Sequence, residues 1–121
     1  MGPAGMPPRT ERDRLIGEVL LAVSLVPAGR VVSYSDVSEL VGAHPRQVGQ
    51  IMAHWAHDVP WWRVTDVRGG LGPVSEARPH WRAEGIGIAA DGSRCRFADH
   101  HAELAQWADA FDRAHGELPR S

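Results

Sequence analysis

The spacing of apolar residues predicts a first helix that begins near Glu11. Apolar positions recur there at steps of three and four, which places them on one face of a helix. Pro27 and Gly29 then end that helix. Val31 and Val32, two residues typical of strands, follow before Ser33. The residues of the apolar repeat are Leu15, Val19, Ala22 and Val26.

Two short helices follow, joined by a tight turn. Ser33 can cap the first of them, with Asp36 three residues later as in a capping box. This helix is predicted over Tyr34–Val41 and ends at Gly42. The next helix begins after His44-Pro45, and its apolar stripe consists of Val48, Ile51, Met52 and Trp55. Such a pair is typical of a helix-turn-helix.

The second half of the chain predicts short strands and two further helices. Residues 59–74 favour extended structure with a turn at Arg68-Gly69-Gly70, as in a hairpin or wing. Residues 76–84 predict a short helix with Pro79 near its first turn, and Asp91-Gly92 predicts another turn. The segment Ala98–His115 is predicted to be one amphipathic helix, with apolar positions at Ala102, Leu104, Ala105, Ala108 and Phe111.

These elements predict an α/β fold that is mostly helical. We expect a three-helix, winged helix-turn-helix core with short strands and a C-terminal helix. Residues 1–10 are expected to form a flexible tail, residues 11–97 the winged-helix domain, and residues 98–121 the C-terminal helix and tail. Trp81 and Trp107 are expected to pack in the core.

Composition adds a constraint on partners. The chain has 121 residues and a net charge of −2, which by itself disfavours nucleic-acid binding. All 13 basic residues are arginines, however, and five acidic residues against one arginine gather between residues 99 and 117, so the remainder is mildly basic. Apolar runs fall far short of the ~20 residues that a membrane span requires. We expect a monomeric, cytoplasmic protein, nucleoid-associated if bacterial, with no membrane partner.

Metal and cofactor sites are not indicated. The close histidine pairs, His54 with His57 and His100 with His101, have no cysteine or acidic partner at a zinc-like spacing. Glycine-rich nucleotide-binding motifs are absent, so we expect no cofactor. Cys95 lies between two arginines that could lower its pKa, but no histidine base is near in sequence. We interpret it as a passive strand residue.

Three sequence blocks carry a family resemblance. They read Gly-Arg-Val-Val-Ser-Tyr at 29–34, His-Pro-Arg-Gln-Val-Gly-Gln-Ile-Met at 44–52, and Val-Pro-Trp-Trp-Arg-Val at 59–64. Their order and spacing resemble the C-terminal DNA-binding domain of the O6-alkylguanine-DNA alkyltransferases, over residues 11–97. In that family the second block is the recognition helix, and the third, P-C-H-R-V, holds the reactive cysteine.

The third block departs from the family at the reactive position. Trp61 stands where the family has its cysteine, and Trp62 where it has its histidine. Alkyl transfer requires a thiolate nucleophile, which indole cannot supply. The chain therefore resembles the alkyltransferase-like proteins, which bind O6-alkylguanine in duplex DNA, flip the base into a pocket and flag it for nucleotide excision repair. This resemblance implies no catalytic residue and no alkyl transfer.

The resemblance also implies roles for individual residues. Arg46 corresponds to the arginine finger that enters the base stack, and Tyr34 to the tyrosine that rotates the target phosphate. Gln47 and Gly49 are on the same predicted helix as Arg46 and are also expected to contact DNA. The implied alkyl-base pocket consists of Trp61, Trp62, Arg63, Val64 and Ser75.

Other residues are expected to support the pocket or widen it. Arg63 is expected to support it more than to touch the base, and Glu84 to join a hydrogen-bond network. Gly72-Pro73-Val74-Ser75 replaces the family's G-N-Y-S-G, which predicts a wider pocket. Residues 61 and 62 are expected to be adjacent in an extended segment, so their side chains should point to opposite faces, with Trp61 setting damage selectivity and Trp62 stability.

Three other functions stay open at this stage. A plain winged-helix regulator would read base edges rather than damage. An alkyltransferase could use Cys95 as a relocated nucleophile, or could have changed its substrate. The chain could instead be an interaction module whose acidic final helix docks a partner, whereas the damage-sensor interpretation implies nucleotide excision repair proteins as partners.

Overall fold

The computed structural model describes residues 10–116, and it is mostly helical with one short sheet. Most of the predicted N-terminal tail, and residues 117–121 of the predicted C-terminal tail, lie outside the described residues. None of the described helices is long and apolar enough to cross a membrane. The elements in chain order are α1 (Glu11–Ser24), β1 (Val32–Ser33), α2 (Tyr34–Val41), α3 (Pro45–Trp55), a 3-10 turn (Trp61–Arg63), β2 (Val64–Thr65), α4 (Val74–Glu84), α5 (Phe97–His100) and α6 (Leu104–Gly116).

Helices α1, α2, α3 and α6 enclose the larger of two hydrophobic cores. The predicted apolar repeat of α1 supplies Val19 and Ala22, which are fully buried, and Val26 after the helix end is nearly so. Trp107 of α6 lies against α1, and its indole N–H donates to the carbonyl of Ala22 at 2.9 Å. The prediction that Trp107 packs in the core is confirmed.

The helix-turn-helix prediction is confirmed in detail. Ser33 Oγ accepts from the backbone N–H of Asp36 at 3.0 Å, and the Asp36 carboxylate accepts from the N–H of Ser33 at 2.9 Å. Gly42 ends α2 with a φ of 75°, a conformation that favours glycine. Val48 and Ile51 of the predicted apolar stripe of α3 are buried. Trp55 was predicted to belong to the same stripe, which is wrong, because its side chain is 50% exposed at the end of the helix.

The hairpin interpretation of residues 59–74 is wrong. β2 has only two residues and pairs in parallel with β1, with Val32 opposite Val64 and Ser33 opposite Thr65. Residues 61–63 form a 3-10 turn after Pro60, closed by the N–H of Arg63 donating to the Pro60 carbonyl at 3.1 Å. This local turn overrides the strand propensity of two adjacent tryptophans.

A second hydrophobic core lies under α4. Trp81 is fully buried there with Ala77, Ile86 and Cys95, which confirms the prediction that Trp81 packs. α4 begins at Val74, two residues before the predicted start, so Pro79 lies inside the helix rather than in its first turn. The Arg68–Gly70 turn is confirmed by the N–H of Asp66, which donates to the Gly70 carbonyl at 2.8 Å.

The predicted helix over Ala98–His115 is divided into two. The N–H of Val31 donates to the carbonyl of His100, and the N–H of Ala102 donates to the carbonyl of Val31, each at 2.9 Å. His101 is extended between them, so these bonds to residue 31 replace the helical bonds that the periodicity predicts. Leu104 and Ala105, predicted to face the core, are exposed at the start of α6.

Candidate functional site

A largely apolar cavity of about 570 Å³ lies between α3 and the beginning of α4. One wall comes from α3 and the residues just after it, and the opposite wall from residues 71–76. Trp61 and Tyr34 complete the lining. We call this space the α3–α4 cavity, and its lining residues are Tyr34, Gly49, Met52, Ala53, Ala56, His57, Trp61, Leu71, Gly72, Pro73 and Glu76.

Tyr34 is the first residue of α2 and lines the cavity. Burial raises the pKa of its hydroxyl, and the negative charge of Asp66 raises it further. The phenol therefore keeps its proton at neutral pH. A neutral hydroxyl of this kind can donate a hydrogen bond to an anionic group such as a phosphate.

Helix α3 exposes one face beside the cavity. Arg46, Gly49 and Ala53 are spaced by three and four residues and therefore share that face. The Arg46 side chain is exposed in the first helical turn, and a Cβ built on Gly49 would meet nothing within 4 Å. A partner's backbone can thus approach α3 closely at Gly49, with a guanidinium next to it.

Gln47 has a structural task on the same helix. Its side-chain oxygen accepts from the N–H of His44 at 3.0 Å, while His44 Nδ1 accepts from the N–H of Arg46 at 3.0 Å. These reciprocal bonds fix the beginning of α3. The predicted contact of Gln47 with DNA stays a prediction.

A charged network lies outside the cavity lining, at the end of α4. Arg63 pairs with Glu84 at 2.6 Å, and its Nη1 donates to the carbonyl of Val26 at 2.9 Å. The same carboxylate accepts from the Trp62 indole N–H and from the N–H of Gly29, each at 3.0 Å. Burial alone would raise the pKa of Glu84, but the hydrogen bonds and charge of these donors, Arg63 first, lower it. The Glu84 carboxylate is therefore ionised at neutral pH.

Trp61 and Trp62 have different surroundings although they are adjacent. Trp61 lines the α3–α4 cavity, whereas Trp62 is absent from its lining and stacks on His80 with ring centroids 3.8 Å apart. The two indoles meet edge to face at 5.7 Å. The predicted reason for this division, alternation along an extended strand, is wrong, because both residues belong to the 3-10 turn.

The structure separates the other predicted pocket residues from the cavity. Val64 does not line this cavity, because its side chain is fully buried in the larger core. Arg63 is engaged with Glu84, as expected of a supporting residue, and the exposed Ser75 of α4 is absent from the lining. Gly72 and Pro73, which replace the family's segment, do line the cavity.

Several lining residues escaped the sequence analysis. Met52, Ala53 and Ala56 follow Gly49 at helical spacing, so the period of α3 was the signal that could have identified them. The sequence marked His57 only as part of a histidine pair and did not mark Glu76, and both became recognisable as lining residues when the fold placed α4 opposite α3.

Cys95 is unsuited to act as a nucleophile. It is buried to 1% exposure in the core under α4, and burial raises the pKa of its thiol to about 11. It also makes the single antiparallel bridge that the described residues form, with Ile88. Within residues 10–116, no cluster of three histidine, cysteine or acidic side chains is arranged to hold a metal ion.

Comparisons with known proteins give a consistent result. Residues 15–86 match the family described as 6-O-methylguanine DNA methyltransferase, DNA binding domain. Alkyltransferase-like protein 1 of Schizosaccharomyces pombe is 39% identical over an alignment of 63 residues, and the match covers 49% of this chain and 58% of that protein. The match thus spans less than two thirds of that relative's length.

Solved structures are similar over a larger part of the chain. Atl1 of S. pombe in complex with damaged DNA containing O6-carboxymethylguanine has 26% identity and a TM-score of 0.66, covering 75% of this chain and 96% of that one. A second S. pombe complex of ATL with DNA has 27% identity and a TM-score of 0.64 at the same coverage.

Proposed function

This chain belongs to the family of the 6-O-methylguanine DNA methyltransferase DNA-binding domain and is of the alkyltransferase-like type, and from that premise we propose that it senses O6-alkylguanine in duplex DNA without repairing it. The observation that carries the proposal is Trp61 on the wall of the α3–α4 cavity. A flat indole at this place offers a stacking surface to a base that has left the duplex.

The exposed face of α3 suits the proposed contact with DNA. Extruding a base costs a few kcal/mol of stacking and pairing, so another group must stabilise the gap. The exposed guanidinium of Arg46 can enter that gap and bond to the unpaired base. Gly49 permits close approach of the DNA backbone, and the neutral Tyr34 hydroxyl can bond to the target phosphate.

The chain is further proposed to transfer no alkyl group. Trp61 and Trp62 replace the nucleophile and its histidine, and Cys95 is a buried thiol that stays protonated at neutral pH. The lesion would then persist in the complex, and its removal would need a second system. We propose that this system is nucleotide excision repair, and that the bound chain marks the lesion for it.

Binding to three matched duplexes tests the sensor proposal. The central base should be guanine, O6-methylguanine or O6-benzylguanine, and fluorescence anisotropy should be measured at two stated salt concentrations, because phosphate contacts depend on salt. We expect tighter binding to both alkylated duplexes. Trp61→Ala should reduce that preference by about 1–3 kcal/mol, the range for a base stacked on an aromatic side chain.

Trp55→Ala is the matched control, since Trp55 is a half-exposed tryptophan that does not line the cavity. Equal affinity of the wild-type protein for all three duplexes would contradict the proposal and favour a regulator that reads sequence. Mass spectrometry after incubation with the methylated duplex should show the unmodified mass, and a methyl group on Cys95 would instead identify an alkyltransferase.

A further inference from the structure

The residues that line the α3–α4 cavity carry an uneven distribution of charge. Among the described residues that line it, Glu76 is the only carboxylate, and no arginine is present. Among the same described residues, His57 is the only one whose side chain can carry a positive charge. The other lining residues are uncharged. The lining therefore sets one carboxylate, that of Glu76, against a largely apolar surface.

Glu76 belongs in this position for a structural reason. It is in the first turn of α4, which has no side-chain cap at Pro73. A carboxylate in the first turn is stabilised by the partial positive charge of the helix N-terminus. This helix end could otherwise favour a bound anion. Glu76 already supplies that negative charge, so a second anion in the cavity would meet repulsion.

We propose that Glu76 determines which adducts the cavity accepts, favouring O6-alkyl groups that are uncharged and disfavouring those that end in an anion. This inference rests on the sensor function proposed above and specifies its substrate class. In the open cavity, water screens the charge of Glu76. When DNA closes over the cavity, water is displaced and the effective dielectric falls, so like charges repel more strongly.

A pair of adducts with the same shape and different charge tests the inference. O6-Carboxymethylguanine ends in a carboxylate, and O6-carbamoylmethylguanine ends in the neutral amide of nearly the same size. Affinities for duplexes with each adduct, and for the unmodified duplex, should be measured at pH 8 and low salt. We expect the wild-type protein to bind the neutral adduct about tenfold more tightly than the anionic one, which is a typical size for one desolvated like-charge contact.

Glu76→Gln should bring the two affinities together, because it removes the charge and keeps the size of the side chain. Glu11→Gln is the matched control, since Glu11 is also in the first turn of a helix, is exposed and does not line the cavity. A general effect of net charge on DNA binding changes both affinities equally and cancels in their ratio.

The outcomes separate the two proposals. Equal wild-type affinity for the two adducts, or a preference for the neutral one that persists in Glu76→Gln, overturns the inference while the sensor function stands. A wild-type protein that binds neither adduct more tightly than guanine overturns the sensor function, and the inference with it.

Discussion

Trp62 retains one property of the histidine whose place it takes in the family resemblance. Its indole N–H donates to Glu84 at 3.0 Å, and an imidazole N–H could make the same bond. Indole has no basic nitrogen, so the substitution keeps a hydrogen-bond donor and removes a proton acceptor. Trp62 therefore holds Glu84 through a hydrogen bond but offers no proton acceptor at this position.

Trp62→Phe tests this reading of the residue. The phenyl ring can still stack on His80, while Glu84 loses one donor. We expect a loss of about 1.5–3 kcal/mol in the free energy of unfolding, the range for a hydrogen bond to a charged group. The preference for alkylated DNA should stay, since Trp62 does not line the cavity.

Denaturant unfolding and duplex binding should be measured together, with Trp55→Phe as the exposed control. Unchanged stability with lost preference for alkylated DNA would mean that Trp62 touches the base. Trp62 is partly exposed, so the larger loss that follows the removal of a fully buried tryptophan is not expected here.

At the scale of elements, Glu84 joins three parts of the chain. Its carboxylate contacts the backbone of Gly29 after α1, the side chains of the 3-10 turn, and through Arg63 the carbonyl of Val26. The Arg63 and Glu84 side chains are only 15% and 13% exposed. Because this carboxylate is the common acceptor, the position of the 3-10 turn that carries Trp61 depends on its charge.

Glu84→Gln should weaken the fold in a pH-dependent way. The folded-state pKa of Glu84 is lower than its ordinary value of 4.5, so its stabilising effect is complete above about pH 4.5 and is lost as the pH falls through the folded value. At pH 7 we expect the variant to be less stable by about 1–3 kcal/mol. The two proteins should converge as the pH falls through the folded pKa of Glu84.

Thermal melting of both proteins from pH 7 to pH 3 measures this difference, with Glu11→Gln as the control for an exposed carboxylate. A constant difference across the whole range would contradict an ionised Glu84 in the folded protein.

The same scale shows which elements the sequence could predict. Helix α2 was predicted to the residue, because Ser33, Asp36 and Gly42 fix its ends by local hydrogen bonds and a positive φ. The 3-10 turn and β2 were not predicted, since β2 pairs with β1 across more than thirty residues. The division between α5 and α6 also depends on a distant partner, Val31, that periodicity cannot reveal.

For the site, the sequence indicated motif residues and missed those supplied by the fold. Trp61, predicted for the pocket, lines the cavity, and so does Tyr34, which was predicted to contact the target phosphate. Val64 belongs to the same sequence block as Trp61, but its side chain is buried in the core. A sequence block of this kind contains residues of the site and also residues that pack beneath it. Glu76 has no motif and gains its place only when α4 lies opposite α3.

At the scale of the whole molecule, the family match ends at residue 86, whereas the described structure continues to residue 116. This C-terminal part is integral to the fold. Phe111 and Trp107 are buried in the larger core, and the backbone at 100–102 bonds to Val31. The acidic residues of α6 therefore belong to a helix that is packed against α1.

The segment 31–33 has a consequence for the order of folding. It bonds to β2 on one side and to residues 100–102 on the other. Contacts between residues so distant in sequence form slowly, because the chain loses the entropy of closing a long loop before these contacts stabilise the fold. Contacts among α1, α2 and α3 are closer in sequence, so we expect these helices to form the folding nucleus.

Pulse-labelled hydrogen exchange during refolding checks this order. The amides of α2 and α3 should be protected before that of Ala102, whose N–H donates to Val31. Protection of Ala102 first, or at the same rate, would contradict it. Because the wall of the α3–α4 cavity at residues 71–76 follows β2 in sequence, a newly synthesised chain has its helix α3 before it has a cavity beside that helix.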